Sequence, residues 1–164
     1  MLGRTGDDWA TFNHRTFHVT GVVSGDVLTL ATDNGRSQTV KLLGIVAPMG
    51  SEKGAAESRC FLTEQALNHN VTLLLPLPQT RDDRGRLLAY VFVDGENLSV
   101  AITKAGMAYA DRRDRQLMAG LIEPAEAEAR KKNRAMWKDL KFDQMPPWRQ
   151  EWFQTLQRLS RTLK

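Results

Sequence analysis

Residues 81–92 run a charged turn, Arg81-Asp82-Asp83-Arg84-Gly85-Arg86, directly into an apolar, β-prone segment, Leu87-Leu88-Ala89-Tyr90-Val91-Phe92. Gly85 permits a tight reversal through positive φ, and the flanking charges keep the turn in water. A strand launched this way holds Arg86 at its mouth, stem against the sheet and guanidinium free. Such an Arg is either a solvated turn charge or a clamp for an anion, and the remainder of the chain has to decide between them.

Upstream, residues 15–30 alternate β-prone side chains around Ser24-Gly25-Asp26, which fits a tight turn between two strands. Asp33-Asn34-Gly35 is a strong hairpin signal and leads into a third strand over 37–45. Pro48 ends that strand, and residues 52–68 carry helical spacing. Residues 71–75 make a fourth strand, stopped by Pro76 and Pro78; the opening segment supplies the fifth, to about Val93. Helices are expected over 98–105, closed by Gly106, over 123–138, and over 148–163 after Pro146-Pro147. Three strands, a helix, two strands and further helices describe a small β-barrel with helices packed outside (α+β). Residues 1–14 read as a loose arm, 15–140 as the folded domain, and 141–164 as a linker with an amphipathic helix.

Charge divides the chain unevenly. Residues 1–110 hold 10 Lys/Arg against 11 Asp/Glu, and residues 111–164 hold 13 against 8, so the net excess lies in the last third. A basic third suits a phosphate-rich partner, although such charge is also common on ordinary helical surface. The single cysteine, Cys60, excludes an internal disulfide and a cysteine-based zinc cluster, and reads as a small buried side chain. His14, His18 and His69 show no ligand spacing. No apolar run is long enough for a membrane span, and residues 1–8 lack a signal-peptide layout, so an intracellular protein is expected.

Four motifs in order carry a resemblance to the staphylococcal nuclease (thermonuclease) family: Val23-Ser24-Gly25-Asp26; Lys41 through Pro48; Asp82 through Tyr90; and Ala125-Glu126 through Ala129-Arg130 to Trp137. The resemblance covers about 17–139 and implies an OB-type five-stranded barrel with about three helices. It also implies a calcium-dependent phosphodiesterase. Two Asp carboxylates and a carbonyl would hold calcium, which takes ~6–8 oxygens. A Glu would position or deprotonate water, and two Arg would clamp the phosphate.

Carried over by residue, Asp26 matches the first metal Asp and Arg86 the second phosphate Arg. Lys41 stands where the first Arg is expected, keeping the charge but losing the planar fork. Val46 replaces the second metal Asp, and Met49 replaces the general base. Removing one positioned transition-state group costs ~10²–10³ in rate, so two losses imply absent or weak cleavage. Asp26 alone would bind metal weakly, with Glu52 and Glu57 as the available substitute ligands, so no cofactor is expected where the family uses calcium.

The leading expectation is therefore a nuclease-like domain with a degenerate site that binds DNA or RNA, or a protein. Lys41, Arg84, Arg86, Arg130, Lys131 and Arg134 would meet phosphates, and Tyr109 is the free aromatic for a base. The alternative is an active metal-dependent endonuclease with rearranged ligands. A third reading places function in the helix at 148–163. Its stripe of Trp148, Trp152, Leu156, Leu159 and Leu163 has to be covered by the barrel, a protein partner or a second copy, with a membrane surface disfavoured. Arg149, Arg158, Arg161 and Lys164 are available to anions.

Overall fold

The computed structural model describes residues 5–114 and 116–163. Its first element is a helix, α1 (Thr5–Phe12), where the polar composition suggests a loose arm; residues 1–4 and Lys164 lie outside the described residues. A helix this short is marginal alone, so the reason it forms is tertiary. Phe12 is buried against Phe17, with ring centroids 5.4 Å apart. Asp8 is buried too, and accepts hydrogen bonds from Thr80 Oγ1 (2.6 Å) and from Arg81 Nε (2.9 Å) and Nη2 (2.8 Å).

Three antiparallel strands follow: β1 (Thr16–Ser24), β2 (Val27–Ala31) and β3 (Ser37–Leu42). Alternation decides their inner face, with Phe17, Val19, Leu28, Leu30, Val40 and Leu42 all in the core. Gly35, at φ 75°, closes the hairpin signalled by Asp33-Asn34-Gly35. The expected third strand ends early, at Leu42. After a turn, a two-residue strand β4 (Ile45–Val46) pairs elsewhere, with β8 (Tyr109–Ala110).

Helix α2 (Ala55–Ala66) crosses to β5 (Asn70–Leu74), and the charged turn then delivers β6 (Leu87–Val93). The sheet order is β3-β2-β1-β5-β6, and a parallel pairing of β3 with β6 closes it into a five-stranded, OB-type barrel. Closure sets Val40 beside Leu87 and Lys41 beside Leu88. The charged turn and the Asp26 turn therefore share one end of the barrel. Cys60 lies exposed on α2, which corrects its reading as a small buried side chain.

A short β7 (Glu96–Asn97) extends β6, and Asn97 caps α3 (Leu98–Lys104) by accepting from the Ser99 and Val100 N–H groups. Helix α4 (Ala119–Lys131) starts earlier than its alanine pattern suggests and stops well before Trp137. Asn133 and Ala135 take positive φ (50° and 45°), which ends the helix, and Trp137 belongs to a single 3-10 turn, Ala135–Trp137. After another such turn, Phe142–Gln144, comes α5 (Pro147–Thr162). A proline at its first position suits a helix start, where the missing N–H has no partner to lose.

Helix α5 docks on the body by its first turns alone. Arg149 is 1% exposed, and Trp148 joins a second cluster of Tyr109, Ala129, Met136 and Trp137. The far end leaves the apolar stripe uncovered, with Leu156, Leu159 and Leu163 all exposed. No described helix is long and apolar enough to cross a membrane.

Candidate phosphate-binding site

The site begins at the Ser24-Gly25-Asp26 turn. A side chain at position 25 would collide with Ser58 Oγ on α2 and lie 2.9 Å from Ala47 Cβ, so glycine lets the turn press against both. That approach aims Asp26 at the strand opposite. Ser24 Oγ donates to Asp26 Oδ1 (2.8 Å) and the Ala47 N–H donates to Oδ2 (3.0 Å). Lys41 Nζ then approaches Oδ2 at 3.0 Å.

Lys41 is the telling residue. Its ammonium also donates to the carbonyls of Leu42 (3.1 Å) and Ile45 (2.9 Å). Of the three N–H groups of an ammonium, two donate to these carbonyls, while the charge itself pairs with Asp26 at the barrel rim. Lys41 therefore faces inward onto Asp26 instead of standing free as a phosphate contact. Val46 lies at the same rim, Met49 is half exposed, and Glu52 follows on the cavity wall. Glu57 faces a separate cavity of about 220 Å³ beside Lys53, Met107 and Met136. Among the described residues, no three Asp, Glu, His or Cys side chains gather in a group able to hold a metal.

Across the cavity, Asp82 organises the charged turn. It accepts from the N–H groups of Arg84 and Arg86 (both 3.0 Å) and from Arg86 Nε (2.7 Å). Burial pushes the Asp82 carboxyl up, but the Arg86 side chain and these backbone donors outweigh it and hold its pKa below the ordinary range. Gly85 supplies the positive φ (74°). Arg81 braces the turn from behind, donating through Nη1 to Gly85 O (2.9 Å) while its other nitrogens bind Asp8. Burial raises the Asp8 pKa, and the hydrogen bonds from Arg81 and Thr80 bring it below its usual value.

Arg86 spends only Nε on Asp82, and neither of its terminal nitrogens has a partner among the described residues. Arg84 forms no ion pair among them and is exposed. Both line one open cavity of about 440 Å³ with Asp26, Lys41, Arg113 and Trp148.

Another part of the cavity lining comes from residues the motifs do not include. Arg113 holds Asp111 through Nε (3.0 Å) and Nη2 (2.9 Å), and its guanidinium lies 5.0 Å from the Trp148 ring. Burial acts to raise the Asp111 pKa, but Arg113, reinforced by Lys41, holds it below the ordinary range. Pro146 and Pro147 complete this wall. The only sequence signal for it was the run of arginines after Ala110 and the tryptophan after a double proline.

Behind the wall, Arg149 binds Glu126 in full burial, Nη1 to Oε2 at 3.1 Å and Nη2 to Oε1 at 2.5 Å. Glu126 also accepts from the Ala110 N–H (2.6 Å). The Arg149 guanidinium lies 4.5 Å from Trp152 and 5.8 Å from both Tyr109 and Trp137. Burial lowers the Arg149 pKa against the pull of Glu126.

Two expectations change here. Tyr109 is 1% exposed, set edge-on to Trp137 and Trp148, so it is no free platform for a base. Burial, followed by the charge of Glu52, pushes its phenol up to about 12. The basic residues at the end of α4 and just after it stand apart from the cavity lining: Arg130 covers Trp137 at 5.3 Å, Lys131 is exposed, and Arg134, beyond the helix, binds Lys104 O and Glu128.

Relatives accord with this geometry. Residues 39–139 match the family model described as staphylococcal nuclease homologue. An uncharacterised protein of Bacillus anthracis is 30% identical over 71% of this chain, which spans 58% of that relative's length. A protein of Haemophilus influenzae, named an uncharacterised endonuclease, is 28% identical over 83% of this chain and 74% of its own. A thermonuclease of Staphylococcus hyicus is 27% identical over 76% and 77% respectively. The closed barrel is the fold that those motifs imply, and the chain belongs to the staphylococcal nuclease family.

Proposed function

We propose that this domain binds the phosphodiester backbone of nucleic acid at the Arg86 turn and does not perform calcium-dependent cleavage. The observation that carries this reading is the position of Lys41 Nζ, within 3.1 Å of Asp26 Oδ2, Leu42 O and Ile45 O. A bound ammonium satisfies the one remaining metal-type carboxylate. Calcium would have to displace it and would then find Val46 and Met49 where a hard cation needs oxygen. The donor set does not fit the metal.

What remains suits an anion. Two free terminal nitrogens on Arg86, held in place by Asp82, can meet a phosphate as a planar fork, with Arg84 adding charge beside it. Binding without positioned water or metal stabilises the ground state alone, which gives affinity and no rate.

The test pairs two assays. Oligonucleotides of DNA and RNA are incubated with the protein, with calcium or with a chelator, and labelled strands are titrated by fluorescence anisotropy across salt concentration. The expected result is intact substrate in both conditions, and binding that weakens with salt. Calcium-dependent cleavage abolished by Asp26→Ala would overturn the reading, as would no affinity at low salt. The names of two relatives, an endonuclease and a thermonuclease, favour a second reading as a nuclease with rearranged ligands. In that reading Glu52, on the cavity wall, supplies the missing carboxylate, and Glu52→Gln would remove the cleavage.

A further inference from the structure

Helix α5 continues past the contacts that anchor it. Its first turns are held by Arg149 on Glu126 and by two tryptophans, Trp148 and Trp152, each 5.0 Å from an arginine guanidinium of the body, Arg113 and Arg112. From Gln154 to Leu163 every residue is exposed. Side-chain hydrogen bonds there stay within the helix, as in Ser160 Oγ to Gln157 O (3.0 Å) and Thr162 Oγ1 to Arg158 O (3.1 Å). At about 1.5 Å per residue, this stretch is about 15 Å long. The apolar face runs on along it. Trp152, Leu156, Leu159 and Leu163 follow at intervals of four, three and four residues, the spacing of the core positions in a helix–helix seam. Leu156 is 44% exposed, Leu159 55% and Leu163 88%. Phe142, also exposed, lies against Phe153 with ring centroids 6.2 Å apart and widens the patch where the body ends.

We infer that this face is an interface with a second copy of the chain, paired through the outer turns of α5. Pairing does not depend on the phosphate-binding reading above. A face that meets its own copy has to be self-complementary, because a charge beside the seam would meet its like across it. The helical positions flanking the leucines are Thr155, Ser160 and Thr162, all uncharged. Arg158 and Arg161 lie on the other side of the helix, where they share a surface groove with Gln154 and Gln157.

A lipid surface would favour a polar face rich in Lys and Arg and aromatic rings free to insert. The tryptophans of this stripe are already engaged by arginines, and the polar face of the outer turns mixes its two described arginines with glutamine, serine and threonine. What remains for a partner is leucine, the side chain that suits a helix–helix seam. Three leucines and an edge phenylalanine per copy place the interface in the weak class, below about 1,200 Å², so pairing responds to concentration. On the phosphate-binding reading, a pair carries two Arg86 turns, and a strand long enough to reach both gains avidity.

Sedimentation velocity of the full chain, from low to high micromolar concentration, tests the pairing. Wild type is expected to move from monomer toward dimer as concentration rises. Leu159→Glu sets like charges in the seam and should weaken association about tenfold or more. Its melting temperature at low concentration should match wild type, because the position is exposed. Arg161→Glu, on the far side of the helix, should associate as wild type does. A chain that stays monomeric throughout would overturn the interface, as would association that survives both Leu156→Glu and Leu159→Glu. Capture on phosphatidylglycerol vesicles without self-association would overturn it in favour of a lipid surface. In anisotropy titrations, Leu159→Glu should lose about tenfold in affinity for a long strand and none for a ten-nucleotide one. If dimers form and no strand binds, the pairing stands and the phosphate-binding reading fails. If strands bind to a chain that never pairs, the reverse holds.

Discussion

Arg149 and Glu126, 23 residues apart, form an ion pair from which water is excluded on both sides. The pair joins α5 to α4, and Glu126 simultaneously holds the Ala110 N–H. Removing Arg149 leaves the buried Glu126 carboxylate with only Arg112 Nη2, at 3.5 Å, and the Ala110 N–H, and breaking a buried pair in this way typically costs about 3–5 kcal/mol. Arg149→Ala should therefore lower the melting temperature by roughly 10 °C for a chain of this size. Thermal melts followed by circular dichroism check this, and a change below about 2 °C would mean that α5 is not fastened as described.

Lys41 and Asp26 make the corresponding prediction for the metal question. The wild type should show no calcium-dependent rise in melting temperature. The triple variant Lys41→Arg, Val46→Asp, Met49→Glu returns two carboxylates and frees Asp26 from the ammonium, so calcium should stabilise it. At calcium a hundredfold above Kd, the gain would be about 2.7 kcal/mol. Scanning calorimetry with and without calcium reads both, and stabilisation of the wild type would sink the metal-free reading.

Arg86 and Arg84 should reveal themselves through salt. Two neutralised phosphates, one at each, predict a log–log slope of about −1.4 for a single strand. Arg86→Ala should weaken binding across all sequences and make the slope shallower by about one contact. An unchanged slope would remove Arg86 from the interface.

Asp8 acts through Arg81 rather than on any ligand. Asp8→Ala leaves Thr80 and Arg81 short of their shared acceptor, at a cost of about 1–3 kcal/mol. Because Arg81 also braces Gly85 O, the turn should loosen and oligonucleotide affinity fall several-fold. Urea titration and anisotropy measure the two effects, and loss of stability with full retention of affinity would uncouple α1 from the turn.

Acid should reverse these contacts together. Asp8, Asp82 and Asp111 all have folded-state pKa values below the ordinary carboxylate range. A depressed carboxylate contributes its full stability above the unfolded pKa of about 3.9 and loses it as pH falls through the folded value. Stability from these groups should be flat from about pH 6 to 8 and decline below about pH 4. Asp82→Asn should flatten part of that decline, and urea midpoints across pH decide it.

The local half of this protein was legible along the chain. Strand alternation, the glycine turns at 25, 35 and 85 and the proline stops depend on each residue and its near neighbours. Arg86 at the mouth of β6 follows from the same logic, because a turn and the strand it launches are contiguous. Contacts between distant segments were not legible. Asp8 meets Arg81 from 73 residues away and turns a polar arm into a packed helix, while Tyr109 loses its apparent freedom to Trp137 and Trp148.

By itself, then, the sequence determined a closed barrel of five strands of the staphylococcal nuclease family. Only the tertiary structure decided where the charge of Lys41 is placed. Lys41 turns its charge onto Asp26 because closure of the rim leaves two carbonyls beside it, and an ammonium there satisfies all three oxygens. The same closure, with Arg149 buried against Glu126, brings Trp148 and Arg113 to the cavity that Arg86 lines. Burial and pairing of charge depend on which surfaces meet, and residue order alone leaves that open.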